Sequence, residues 1–463
     1  MQQKLITRSP IDNGIYIERE FATSEQITDT IANAHRAQKK WQTVVMEERA
    51  AICHAMVDAM LANKEQIAEQ LCWMMGRPIR YAAKEVDGFA ERARYMIDIA
   101  QTSLEVISLP KQENCTRYIK REPLGLVFVI APWNYPYLTA VNAIVPAIMA
   151  GNSVLLKHSV QTPLCAEQLF HAFQVANLPE GVFQYLHLTH VDTQLIIHQH
   201  DINYVAFTGS VTGGEMVERG VSGRFINVGL ELGGKDAAYV RADADISSAV
   251  ATCIDGAFFN SGQSCCGIER IYVDDSIYDE FVKQAVELIN GYQLGRPDQQ
   301  ETTLGPVVSA AAADIIREQI ADAISHGAKA HINVDNFPLD NSNNAYLAPQ
   351  LLTDVDHAMA IMTEESFGPV VAVMRAFNDK QAISLINDSQ FGLTASVFSR
   401  DIARAAEIGE QLEVGTFFVN RCDYLDPALA WTGYKNSGKG CTLSRLGYEL
   451  LTKPKSYFLQ KSP

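Results

Sequence analysis

Residues 125–132 read GLVFVIAP, and four more apolar runs follow: NSVLLK at 152–157, VFQYLHL at 182–188, NYVAFTG at 203–209 and RFINVGLEL at 224–232. Each is too short for a helix of ordinary length and is bounded by turn-forming or polar residues, the pattern of strands buried in a sheet. Between them the apolar spacing becomes helical, over Tyr137–Ala150, Pro163–Ala176, Asp192–His200 and Gly213–Gly220. This alternation predicts βαβ units and a parallel sheet. Ligands of such sheets bind beyond the carboxyl ends of the strands. Those ends fall at Trp133 and Asn134, at Lys157 and His158, at Thr208, Gly209 and Ser210, and at Glu231 and Leu232.

Working outward, residues 24–105 read as a helical packing layer, with Ser24 as the expected N-cap and apolar pairs recurring through Ala51, Ile52, Met56, Val57, Met60 and Leu61. Residues 114–122 alternate in polar fashion (Thr116, Tyr118, Lys120) and predict an exposed ribbon; PKSYFLQKSP at 454–463 predicts a second exposed strand. After Glu231 a new alternation begins, with RIYVDDS at 270–276, PVVAVMRAF at 369–377 and GTFFVN at 415–420. The expected fold class is therefore α/β, with two α/β units and a small β element.

At roughly 150 residues per domain, 463 residues allow two or three domains. Lys and Arg total 38 against 54 Asp and Glu, a net charge of −16, and the pI is ≈ 5.2. That balance argues against nucleic acid as a partner, which calls for a basic surface. The nine cysteines are odd in number, scattered and free of CxxC pairs, so neither a disulfide framework nor a metal site is expected. The opening MQQKLITRSPIDNGIYIE carries no leader pattern, and no apolar stretch is long enough to span a bilayer. The expectation is a cytoplasmic protein with no membrane partner.

Chemistry concentrates in NSGQSCC at 260–266 and ELGGK at 231–235. A thiol in a glycine-flanked loop and a carboxylate beside paired glycines supply a nucleophile and a base, the requirements of covalent catalysis on a carbonyl. Each segment alone also has a structural reading, as a buried small hydrophobe or a strand end. The turn FTGSVTGG at 207–214 follows a strand and opens a helix, a context suited to phosphate oxygens, although it is not GxGxxG.

Together APWNYP (131–136), LLKHS (155–159), FTGSVTGG, LELGGK (230–235), NSGQSCC, EESFGPV (364–370) and WTGYKNSGKG (431–440) resemble the aldehyde dehydrogenase superfamily, in that family's order and over most of the chain. The resemblance implies a Rossmann-like NAD(P)-binding domain (1–110 and 125–231), a catalytic domain with the nucleophile (232–440) and an oligomerisation ribbon (111–124 and 441–463). Cys265 takes the nucleophile's position, and its thiolate would form a thiohemiacetal with the aldehyde before hydride leaves for the nicotinamide. Asn134 matches the amide that completes an oxyanion hole with the backbone N–H of Cys265. Glu231 matches the base that activates water to hydrolyse the thioester.

For the cofactor, the resemblance assigns Lys157 to the adenosine ribose, Gly209 and Ser210 to the pyrophosphate, and Glu365 and Phe367 to the nicotinamide ribose and ring. Pro132, Trp133, His158, Ser159, Val160, Gly214 and Leu232 complete the expected cofactor contacts, and Tyr135 the substrate wall. The expected partners are a small aldehyde, NADP or NAD, and further copies of the chain in a homodimer or homotetramer.

The sequence also departs from the family. Many members carry, three residues after the lysine, a Glu that grips the ribose; here the run is Lys157, His158, Ser159, Val160. Without that carboxylate a 2′-phosphate meets no repulsion, and Lys157, Ser159 and His158 offer donors, so NADP is expected to be accepted, with NAD use left open. Cys441 and Thr442 replace the usual Arg-Glu, and Ala430–Gly433 the usual PFGG. Succinate-semialdehyde dehydrogenases of the better-known type carry an Arg eight residues after the oxyanion Asn, where this chain has Asn142. Arg421 is then either a carboxylate anchor or an ion-pair partner of Asp423 or Asp426. The expected substrate is a short aliphatic aldehyde or a semialdehyde such as succinate semialdehyde. A coenzyme A-acylating enzyme and a catalytically silent scaffold are the alternatives.

Overall fold

The computed structural model describes residues 4–461. The apolar runs form a six-stranded sheet in the order Gly438–Lys439, Asn227–Glu231, Tyr204–Thr208, Leu126–Ala131, Ser153–His158, Phe183–Tyr185, parallel except for the first. Strand alternation divides its side chains between two cores. Val127, Val129 and Ala131 face one, together with the helices Met46–Ala62, Lys84–Asp98 and Pro136–Met149. Leu126, Phe128 and Ile130 face the other, shared with the helices Ser24–Trp41, His190–Gln199 and Val211–Val221. Helices on both faces explain why the strands read as continuous apolar runs rather than alternating ones.

The chain order reverses at the centre of this sheet. From Leu126–Ala131 it proceeds outward to Ser153–His158 and Phe183–Tyr185, then returns to the other side as Tyr204–Thr208. Loops leaving the two central strands in opposite directions open a crevice at their carboxyl ends. Pro132–Asn134 and Thr208–Ser210 border that crevice.

A second sheet orders Lys329–Ala330, Gln350–Thr353, Val370–Ala376, Ile268–Asp274, Asp236–Val240, Thr394–Phe398 and Thr416–Val419, antiparallel only at Lys329–Ala330. Ala237 and Tyr239 face one core, Ala238 and Val240 another. Gly438–Lys439 lies within the span expected for this second unit, yet it pairs with Asn227–Glu231 and covers the edge of the first sheet. The ribbon forms from Cys115–Pro123 and Thr452–Gln460, antiparallel over their lengths, with Tyr118 stacked on Tyr457 at 4.6 Å.

The helical layer begins as expected, but its cap is Thr23 rather than Ser24: Thr23 and Gln26 exchange reciprocal hydrogen bonds in a capping box. Among the described residues no helix is long and apolar enough to cross a membrane.

Candidate active site

The cysteine loop leaves the helix Ile246–Phe258 through three successive left-handed residues, Asn260 (φ 54°), Ser261 (φ 57°) and Gly262 (φ 72°). A side chain on Gly262 would stand 2.0 Å from the Gly368 carbonyl oxygen, so glycine alone fits. Left-handed Asn and Ser cost about 1–3 kcal/mol each and persist only where the surroundings hold them. Here Asn260 Nδ2 donates to the carbonyls of Asn134 and Gln263, Gln263 Nε2 to the Asn260 carbonyl, and Ser261 Oγ to the Gly305 carbonyl. The loop is thereby fixed against the turn that carries Asn134.

That turn has its own support. Arg77 donates to the Asn134 carbonyl and pairs with the buried Glu85, whose other oxygen accepts from the Tyr137 and Leu138 amides at 3.0 and 3.1 Å. A carboxylate at the first turn of the helix Pro136–Met149 satisfies unpaired amides and complements the helix dipole. The Asn134 side chain donates to the Gln263 carbonyl at 3.2 Å.

Cys265 is half-buried and forms part of the wall between two cavities. One, about 220 Å³, is lined by Pro132, Trp133, Asn134, Thr208, Gly209, Ser210, Leu232, Gly233, Glu365 and Phe367. The other, about 230 Å³, is lined by Arg77, Tyr81, Lys84, Arg92, Tyr135, Phe259, Cys266, Asp423, Tyr424 and Leu425 among others. Cys265 alone belongs to both linings. Its neighbour Cys266 is buried, donates to Asp423 at 2.9 Å and is pushed well up in pKa by its contact with Cys265 and by burial. Burial pushes the Asp423 carboxyl up to about 6.

The first cavity sits in the crevice at the sheet's switch point. Ser210 caps the helix Val211–Val221 by accepting from the Gly213 amide. Trp133 meets Phe367 edge-to-face at 5.6 Å. The loop of Phe367, itself left-handed (φ 51°), is held by Glu269, which accepts from the Ser366 and Phe367 amides and from the fully buried Lys235 at 2.5 Å. Glu365 accepts from the Gly234 amide, and burial pushes its pKa up to about 7.

Glu231 ends its strand with its carboxylate accepting from Thr208 Oγ1 (2.8 Å), Thr442 Oγ1 (2.5 Å) and Asn142 Nδ2 (3.5 Å). It borders a small cavity of about 30 Å³, bounded also by Tyr204, Asn142 and Thr442, and lines neither cavity that Cys265 borders. The arrangement leaves room for water beside a carboxylate. No hydrogen bond joins Glu231 to Cys265 among the described residues.

Other expected contacts fall elsewhere. Lys157, His158, Ser159, Val160 and Gly214 lie outside the lining of the 220 Å³ cavity. Lys157 is buried without an ion-pair partner among the described residues, and burial lowers its pKa to about 8. His158 corrects the expectation that it donates to a phosphate. Its Nδ1 lies 3.0 Å from the Ser159 amide and 3.1 Å from Thr162 Oγ1, its Nε2 3.3 Å from the Pro136 carbonyl, and burial holds its pKa down at about 3. Adjacent strand residues face opposite sides, so a His beside Lys157 turns into the helical layer.

Val160 gives its carbonyl to Thr7, and Gly214 lies against the Leu232 side chain. Arg421 is not in the ion-pair role weighed for it. It is exposed, makes no ion pair with Asp423 or Asp426, and lies over the Tyr424 ring at 3.8 Å, outside the lining of the 230 Å³ cavity. The residues that sequence reading missed are Arg77, Glu85, Arg92, Lys235, Glu269 and Asp423; all act through partners distant in the chain.

The sequence profile of the aldehyde dehydrogenase family matches residues 1–457. An aldehyde dehydrogenase from Paenarthrobacter nicotinovorans is 33% identical over 428 residues, covering 92% of this chain and 93% of its own. A succinate-semialdehyde dehydrogenase [NADP(+)] from Deinococcus radiodurans is 34% identical over 439 residues, covering 94% and 90%. The NADP-dependent glyceraldehyde-3-phosphate dehydrogenase of Bacillus halodurans C-125, solved with NADP, superposes with a TM-score of 0.93 at 31% identity over 99% of this chain and 96% of its own.

Proposed function

The chain belongs to the aldehyde dehydrogenase family and is an enzyme of that class using NAD or NADP, and from this premise we propose that it oxidises a short aldehyde or semialdehyde to the acid through Cys265. The observation that carries the assignment is that Cys265 alone borders both cavities, with access to a cofactor on one side and a substrate on the other.

The Cys265 thiolate adds to the aldehyde carbon and forms the thiohemiacetal. Its oxygen takes its place between the Asn134 amide and the Cys265 backbone N–H, donors aimed at charge that develops only during reaction. A nicotinamide held in the 220 Å³ cavity would supply the hydride acceptor through which the thiohemiacetal carbon at Cys265 becomes a thioester. Glu231 takes a proton from water, the hydroxide adds to the thioester carbonyl, and the acid departs as Cys265 is released. Glu231 first turns away from Thr208 and Thr442, and the small cavity beside it holds water for this step. Thr442 donates to Glu231.

The residues around the 220 Å³ cavity fit a dinucleotide. An amide-bearing helix N-terminus capped by Ser210 suits phosphate, Glu365 suits ribose hydroxyls, and Trp133 and Phe367 suit a ring. Lys157, a buried ammonium without a carboxylate partner, suits the adenosine ribose and a 2′-phosphate on it. Residues 1–110 and 125–231 then form the cofactor domain and most of 232–440 the catalytic domain. The ribbon (111–124 and 441–463), with Phe458 and Leu459 exposed, joins copies into a homodimer or homotetramer.

Absorbance at 340 nm with a panel of aldehydes and each cofactor tests this reading. Oxidation of short aldehydes with NADP at least as efficient as with NAD supports it; a strong kcat/KM preference for NAD removes the NADP assignment. The ammonium of Lys157 is lost as pH rises through about 8. Its attraction for a phosphate is therefore present below that pH and fades above it, so KM for NADP should rise between about pH 7 and about pH 9. A Lys157→Met variant should lose that rise; an unaltered pH profile would remove Lys157 from the phosphate contact.

A further inference from the structure

The 230 Å³ cavity on the substrate side contains three cationic side chains, and their partners separate them. Arg77 is committed to Glu85 and the Asn134 carbonyl. Lys84 is exposed at the rim, near the Tyr81 ring. Arg92, on the helix Lys84–Asp98, is 9% exposed and has no ion-pair partner among the described residues. Its hydrogen bonds go to the Leu138 carbonyl at 2.7 Å and Asn142 Oδ1 at 3.5 Å, and both come from Nη1. Nε and Nη2 have no acceptor among the described residues.

A buried guanidinium without an ion-pair contact is costly, and the Nε–Nη2 edge presents two parallel N–H groups that match a carboxylate. The carboxylates nearby do not supply that match: Glu85 is paired with Arg77, Asp423 accepts from Cys266 and Ser264, and Glu91 accepts from Tyr424. Asn142 ties Arg92 to Glu231, because its Oδ1 accepts from Arg92 while its Nδ2 donates to Glu231. Burial pushes the Arg92 pKa down and Glu231 and Glu85 push it back, and a guanidinium remains charged across the working range of the enzyme.

Resting on the aldehyde reading above, we propose that Arg92 is the anchor for a substrate carboxylate, so that the preferred substrates are short aldehydes bearing a carboxylate at the far end. The aldehyde carbon faces Cys265 and the carboxylate meets the open edge of Arg92, both within the cavity that these two residues line. Asn142 holds the guanidinium by one nitrogen and leaves the other edge for the ligand. The charge that position 142 itself lacks comes from the neighbouring helix.

The test compares kcat/KM for succinate semialdehyde and for butanal, an uncharged aldehyde of the same length. Wild-type enzyme should favour succinate semialdehyde. In Arg92→Met that preference should fall by about 10–100-fold, mostly through KM, as expected for losing charge-assisted hydrogen bonds. Arg92→Lys, which keeps a cation, should recover part of it. Arg421→Ala should keep the wild-type ratio; a fall there as large as in Arg92→Met overturns the assignment. So does an equal loss toward both aldehydes in Arg92→Met. Wild-type enzyme that oxidises butanal without preferring succinate semialdehyde overturns the anchor alone, whatever the fate of the variants, whereas failure to oxidise either overturns the aldehyde reading beneath it.

Discussion

In Cys265→Ala, oxidation of every aldehyde should fall by at least about 10⁴-fold, because the residue that forms the covalent bond is gone and no other thiol replaces it. Cys266 is adjacent in sequence, but it is buried and its thiol donates a hydrogen bond to Asp423. The other cysteines are buried apart from the half-buried Cys441, whose thiol is engaged with the Thr442 carbonyl. Alkylation with iodoacetamide, read by peptide mass, should therefore mark Cys265 first in the native enzyme and inactivate it in proportion. Residual turnover in Cys265→Ala near the wild-type rate would refute the covalent route.

Glu231→Gln should separate the two halves of the reaction. Acylation needs Cys265 and the oxyanion donors, so the variant should still give a burst of reduced cofactor approaching one equivalent per active site. The steady rate after it should be slower by about 10²–10⁴-fold, the usual contribution of a general base. Gln keeps the size of the side chain but has one oxygen where Glu231 uses two, Oε2 for Thr208 and Oε1 for Thr442, so one threonine hydroxyl turns to accept from the new amide; a retained burst then shows that the strand end is intact. Stopped-flow absorbance resolves the two phases. A variant with no burst and an equally slow first turnover would place Glu231 in acylation; a wild-type steady rate would deny it the role of base.

Much of this was legible from the chain alone, for identifiable reasons. The first sheet announced itself because its strands are buried on both faces, as Val127 and Phe128 show by entering opposite cores. The cysteine loop was legible because its thiols stand in a glycine-flanked stretch, and at the left-handed Gly262 only glycine fits. Arg77 with Glu85 and Lys235 with Glu269 were not: Arg77 and Glu85 lie eight residues apart but act on the Asn134 turn and the helix that follows it, and Lys235 meets Glu269 across 34 residues, with no local pattern to mark either pair. Arg421 was left between two roles because loop residues carry no periodicity to say which way they point. Its neighbours Asn420 (φ 54°) and Asp423 (φ 51°) are left-handed, and Arg421 itself lies outward on Tyr424. Position 142 was read as a missing charge, whereas the neighbouring helix brings Arg92 to the same place.

The single residue shared by the two linings also governs the order of events. A partition one side chain thick lets each reactant approach and depart by its own door, so neither has to vacate the other's path. Binding should then be free of a compulsory sequence.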